Sequence, residues 1–133
     1  MRQYAGFFGS MIVIFYGLTI LNFILKWVNK KYPKIINKNK QVKMIFKKSM
    51  KIVVKYHKLF GILTIIFLGL HFWIFYSNGR ISRTGILAAL LMISQVVLGI
   101  LGAYVIKKRT GLWFSLHRVL AAALALVIFI HTS

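Results

Sequence analysis

HKLFGILTIIFLGLH at residues 57–71 and HRVLAAALALVIFIH at residues 117–131 decide how this chain is read. Each stretch begins and ends on histidine, and the chain has no histidine elsewhere. Apart from the cation after the first histidine and Thr64, the residues between are apolar or glycine. Fourteen residues is close to four helical turns, so His57 and His71 share one helix face, about 21 Å apart along the axis, as do His117 and His131. That is too far for one helix to give both ligands to one metal ion. Two helices lying side by side, each lending one histidine at each of two depths, meet the requirement.

Composition points to a membrane. The chain has 133 residues, 59% of them hydrophobic, with a mean hydropathy of +0.78, and a soluble domain of this size needs more polar surface. There are 19 Lys+Arg and no Asp or Glu. A pI near 10.9 would ordinarily raise nucleic acid as a partner. Here the basic residues stand at the ends of long apolar runs, which argues against nucleic acid. Without cysteine the chain offers no disulfide framework, CxxC zinc site or iron–sulfur ligation. Without carboxylate side chains it offers no acid/base pair, calcium site or Ser-His-Asp triad. Histidine is the side chain left with strong metal-binding character.

Four segments are long and apolar enough to cross a bilayer, which takes about 20 residues: about 4–27, 53–76, 86–106 and 113–131. The expectation is a single all-α domain, an integral membrane four-helix bundle. The first segment is read as a retained span, because no small-residue cleavage site follows it, with Asn22 and Lys26 at its exit. The connection of about 28–52 is basic: Lys26 to Lys58 holds twelve lysines, and Lys107, Lys108 and Arg109 lie between spans three and four. The other side carries Arg2, Arg80 and Arg83. The positive-inside rule then predicts cytoplasmic basic connections and an N-out/C-out topology, in a membrane read as the bacterial cytoplasmic one. Trp27, Trp73, Tyr76, Tyr104 and Trp113 near the span ends suit an interfacial aromatic belt.

Within the basic connection, Tyr32-Pro33 breaks the first helix. Val42, Met44, Ile45, Phe46, Met50 and Ile52 then alternate with lysines at helical spacing. This predicts a short basic helix on the membrane surface, running into span two. It serves either topology and attraction to anionic membrane lipid or docking of an acidic protein partner; the two are compatible. Ser77-Asn78-Gly79 and Thr110-Gly111 read as short turns, making successive spans antiparallel neighbours.

Antiparallel order makes spans two and four parallel, so depth pairs His57 with His117 and His71 with His131. An imidazole suits an axial haem position, and a bundle core can seat the ring between facing helices. Histidines that only hydrogen-bond across helices are the plainer reading of each residue alone; two matched pairs favour two haems b. Lys58 follows His57 and Arg118 follows His117, where an inner haem would extend its propionates; Arg80 and Arg83 could serve an outer one. One turn on from the inner histidines stand Gly61 and Ala121, small enough for a flat ring to approach. His131 is expected to be the weakest ligand, because a helix end frays.

Together these segments resemble the haem-binding helices of di-haem membrane b-type cytochromes, over roughly residues 50–131. The likeness is to the transmembrane core of ferric-reductase and NADPH-oxidase-type proteins and to cytochrome b561-like proteins. Span three, with Thr84-Gly85 at its start and Gly99-x-x-Gly102 near its end, resembles the helix between the haem-binding pair. The resemblance implies electron conduction across the membrane through two bis-histidine haems. The chain departs from that group in having no flavin or nicotinamide domain and fewer spans.

The expectation is therefore a membrane subunit of an oxidoreductase rather than a catalyst by itself. It would link a cytoplasmic partner subunit bearing flavin or iron–sulfur centres to a quinone or an extracytoplasmic acceptor. The competing readings are a stand-alone ferric-reductase-like or quinone-reductase-like enzyme, and a haem-free membrane assembly or metal-carrier protein.

Overall fold

The computed structural model describes residues 2–108 and 110–133, and the backbone alone of Arg2. The placement of Arg109 in the basic turn and of the Arg2 charge on the opposite side thus lies outside what is described. The described chain is helical and has no strand: α1 (Arg2–Lys31), α2 (Pro33–Lys38), α3 (Lys40–Ser77), α4 (Arg83–Ile100), which runs on into a π-helical turn at Leu101–Ile106, and α5 (Leu112–Thr132). Four stretches are long and apolar enough to cross a membrane: Gln3–Lys31, Lys40–Ser77, Arg83–Ile106 and Leu112–Thr132. Helices are what a chain must form there, because lipid offers no partner for an open backbone N–H or C=O. Trp73 is 68% and Phe129 70% exposed, among many exposed Leu, Ile and Phe side chains. Such a surface suits hydrocarbon rather than water.

The chain separates into two compact units, Gly9–Phe67 and Met1–Phe8 with Leu68–Ser133. In the first, α1 and α3 run antiparallel. The Phe15 ring stacks on Phe67 with centroids 5.5 Å apart, and lies 6.4 Å from Phe60. Pro33 opens α2, where its missing N–H costs nothing. Asn39 then starts α3, its Oδ1 accepting the backbone N–H of Gln41 at 2.8 Å.

From Lys40 the helix continues unbroken for 38 residues, because neither proline nor glycine occurs before Gly61. The basic helix expected to run into span two is thus continuous with it, and within the connection expected at about 28–52 the residues from Lys40 on belong to α3. At 1.5 Å per residue α3 is about 57 Å long, well beyond a hydrocarbon core of about 30 Å. The helix is thus longer than a span needs by its lysine-rich first turns.

In the second unit α4 and α5 are antiparallel neighbours. A Schellman arrangement ends α3: Gly79 N–H donates to the Tyr76 carbonyl and Arg80 N–H to that of Phe75, both at 3.0 Å, with Gly79 at φ 62°. Ser82 caps α4 by accepting the Gly85 N–H at 3.0 Å. At the other end of α4 the Trp113 indole lies directly over Gly102, and its Nε1–H donates to the Lys108 carbonyl at 2.9 Å. Trp27, Trp73, Tyr76 and Tyr104 are exposed as a belt requires; Trp113 is instead half-buried, because the bare Gly102 backbone leaves room for its ring.

The two histidine-bounded segments share one burial pattern. From His57 to His71 and from His117 to His131 the buried, half-buried and exposed positions fall in identical order. At the midpoint of each, seven residues from either histidine, stand Thr64 at 2% and Leu124 at 0% exposure. Thr64 is tolerated there because its hydroxyl donates to the Phe60 carbonyl at 2.7 Å.

Candidate functional site

Three of the four histidines belong to the second unit, and each is held through Nδ1. His71 Nδ1 lies 3.0 Å from the carbonyl oxygen of Ala5 on α1. His117 Nδ1 lies 3.1 Å from the carbonyl oxygen of Gln95 on α4. A carbonyl oxygen only accepts, so Nδ1 carries the proton in both, and Nε2 keeps its lone pair. His131 Nδ1 is 3.0 Å from Thr84 Oγ1 and 3.4 Å from Ser82 Oγ, hydroxyls that can accept the same proton. Metal-binding imidazoles are characteristically oriented this way, with the second nitrogen donating to a carbonyl or another fixed acceptor.

His71 and His131 face each other. Their ring centroids are 6.5 Å apart, with planes at 85°. Two imidazoles bound from opposite sides to one metal ion, each at about 2 Å, hold their centroids roughly 6 Å apart. The His71–His131 separation is close to that value. Phe75 closes one flank, its ring centroid 4.9 Å from that of His71.

Helix α4 meets the imidazoles of α5 with bare backbone. A Cβ on Gly85 would come within 3.2 Å of His131 Cε1, and one on Gly99 within 3.4 Å of His117 Cε1. Gly85 and Gly99 are fourteen residues apart, the interval of the histidines themselves. An antiparallel neighbour with the same interval offers one gap per imidazole.

His117 has a second contact, since Gln95 Nε2 lies 3.4 Å from its Nε2. The Gln95 side-chain oxygen is buried without a hydrogen bond. An amide donor at Nε2 engages the lone pair that an axial ligand needs, so ligation by His117 requires that side chain to rotate away. His57, half-buried with its Nδ1 out of reach of solvent, belongs to the other unit.

Of the remaining residues expected at the site, Lys58 is exposed, and the exposed Arg118 guanidinium lies over the Phe114 ring at 5.4 Å. A Cβ on Gly61 would meet nothing within 4 Å, leaving that stretch of α3 open to a flat group. Ala121 is half-buried, and Arg80 and Arg83 are exposed. Helix α5 runs through Thr132, and the Thr84 and Ser82 hydroxyls lie beside the His131 ring. Among the described residues no group of three or more His, Cys, Asp or Glu gathers in one place.

The anchors of the imidazoles were not anticipated as anchors. Gln95 had a signal, being a large amide in the middle of an apolar span; Thr84 had a weaker one beside Gly85. The Ala5 carbonyl had none, because every residue carries the same group. Comparison of the chain with known protein families, with characterised proteins and with solved structures finds no match in any of the three.

Proposed function

We propose that this chain is the membrane subunit of an oxidoreductase, carrying electrons across the bilayer through two b-type haems. His71 and His131 hold the outer one, and His57 and His117 the inner one. In this reading both termini lie outside and the lysine-rich ends of α1 and α3 in the cytoplasm. When bound, the irons supply one-electron exchange between ferric and ferrous states. The polypeptide's own work is to set ligands, depth and surroundings, which together tune the potentials.

The observation that carries the reading is the His71–His131 pair, opposed at 6.5 Å with both Nδ1 atoms engaged elsewhere. Ala5 and Thr84 engage each Nδ1 and so leave the Nε2 lone pairs for a ligand site. Lys58 and Arg118 supply cations for the propionates at the inner level. A cytoplasmic partner with flavin or iron–sulfur centres would exchange electrons at the basic face, and a quinone or extracytoplasmic acceptor at the other.

Ligand substitution tests the pairing. His71→Ala and His131→Ala should each remove one haem, the same one, and leave the other with its spectrum unchanged. His57→Ala and His117→Ala should remove the second. Loss of different haems from His71→Ala and His131→Ala would refute the proposed pairs.

A further inference from the structure

In the unit Gly9–Phe67, a groove of about 590 Å³ lies between α1 and α3. It is lined by Lys26 and Asn29 of α1 and by Lys47, Lys51, Lys55, Met50 and Val54 of α3. The three α3 lysines follow one another at four-residue intervals, so they form a single stripe, and like charges at that spacing repel. The chain has no Asp or Glu to offset them. The Lys55 ammonium lies 5.2 Å from the Tyr56 ring centroid, a contact that leaves its positive charge in place. No carboxylate side chain of this chain can offset the charge of Lys47, Lys51 and Lys55.

The position of the groove narrows the choice of occupant. It lies where the apolar run of α1 gives way to Lys26, Lys30 and Lys31, and where that of α3 begins at Ile52. On both helices this is the boundary between hydrocarbon and water. An occupant needs negative charge and acceptor oxygens for the ammonium groups and the Asn29 amide. It also needs an apolar portion to lie against Met50 and Val54.

We propose that this groove binds the phosphodiester headgroup of an anionic phospholipid, with its glycerol and first acyl carbons against Met50 and Val54. Basic pockets between membrane helices suit such headgroups, and the volume falls in the range of small-ligand sites. Free phosphate satisfies the lysines but leaves Met50 and Val54 uncovered. An acidic protein surface would approach from water rather than at the hydrocarbon boundary.

The test uses the whole chain in a zwitterionic detergent, with native mass spectrometry counting bound phosphatidylglycerol during a titration. Each lysine is worth about 5-fold in affinity, so K47Q/K51Q/K55Q should weaken binding about 100-fold. Removing the same charge outside the groove, in K34Q/K38Q/K48Q, should weaken it by less than about 5-fold. The variant K47R/K51R/K55R should retain binding, and circular dichroism should show equal helix content throughout. Phosphatidylcholine should bind weakly to all forms.

Equal weakening by the two glutamine variants would overturn the proposal in favour of diffuse attraction to a highly charged chain. Displacement of the lipid by inorganic phosphate at matching concentration would make the groove an anion site without lipid. Capture of an acidic protein through Lys47, Lys51 and Lys55, with no phosphatidylglycerol bound, would assign the groove to that partner instead. None of these outcomes depends on haem.

Discussion

Thr84 and Ser82 hold the imidazole of His131, and removing their hydroxyls isolates what orientation contributes to the proposed outer haem. Thr84→Val keeps the shape of the side chain and deletes the oxygen 3.0 Å from Nδ1. Ser82 Oγ, 3.4 Å from the same nitrogen, is a longer and weaker substitute that remains. A neutral hydrogen bond contributes about 1 kcal/mol, which is about 5-fold in an equilibrium. Thr84→Val alone should therefore lower outer-haem affinity by about 5-fold. Adding Ser82→Ala removes the substitute, and the loss should reach the roughly 10–100-fold typical of removing an imidazole's second partner.

Ser82 also caps α4, so the double variant should lose about 1 kcal/mol of stability as well. Ser82→Ala alone measures that part, since Thr84 still holds the ring. Haem occupancy against added haem, followed by difference spectroscopy, reads the affinity; thermal melting reads the cap. The inner haem should be unaffected in every variant. Two unchanged affinities in the double variant would refute the positioning role of these hydroxyls, and loss of both haems together would show a general collapse instead.

Further expectations concern α4, the π-helical turn that follows it, and α1. In Gly102→Ala the new Cβ meets the Trp113 ring, and over-packing of this kind costs about 1–3 kcal/mol, visible as a lowered melting temperature. Gly17→Ala, where nothing lies within 4 Å, should instead raise stability by up to about 1 kcal/mol through helix propensity. Gln95→Leu removes a carbonyl oxygen that is buried without a hydrogen bond, an arrangement costing about 1–3 kcal/mol. It should therefore melt no lower than wild type and bind the inner haem at least as tightly. A weaker inner haem in Gln95→Leu would mean that the amide supports the site rather than competing for Nε2.

The spans were legible because a bilayer leaves the chain few choices. About 20 apolar residues bounded by lysines or by Asn78-Gly79 have one stable form, and α4 and α5 lie within a few residues of the expected limits. The basic connection was less legible. A lysine–apolar alternation reads as a helix running into span two, and the run without proline or glycine from Lys40 to Phe60 allows it, but nothing in the alternation marks Lys40 as the start of a single 38-residue helix. Helical periodicity placed His71 and His131 for each other, whereas nothing in it showed what each Nδ1 would meet. The Ala5 carbonyl is invisible in sequence, and the half-burial of Trp113 depended on Gly102 lying opposite.

The most direct test of the account is the haem content of the purified full chain, taken with its reduced-minus-oxidised spectrum. The account predicts a b-type spectrum and two haems per chain, with both irons six-coordinate and low-spin. A chain that folds to the same helix content in the presence of haem, yet shows no b-type band, would contradict it.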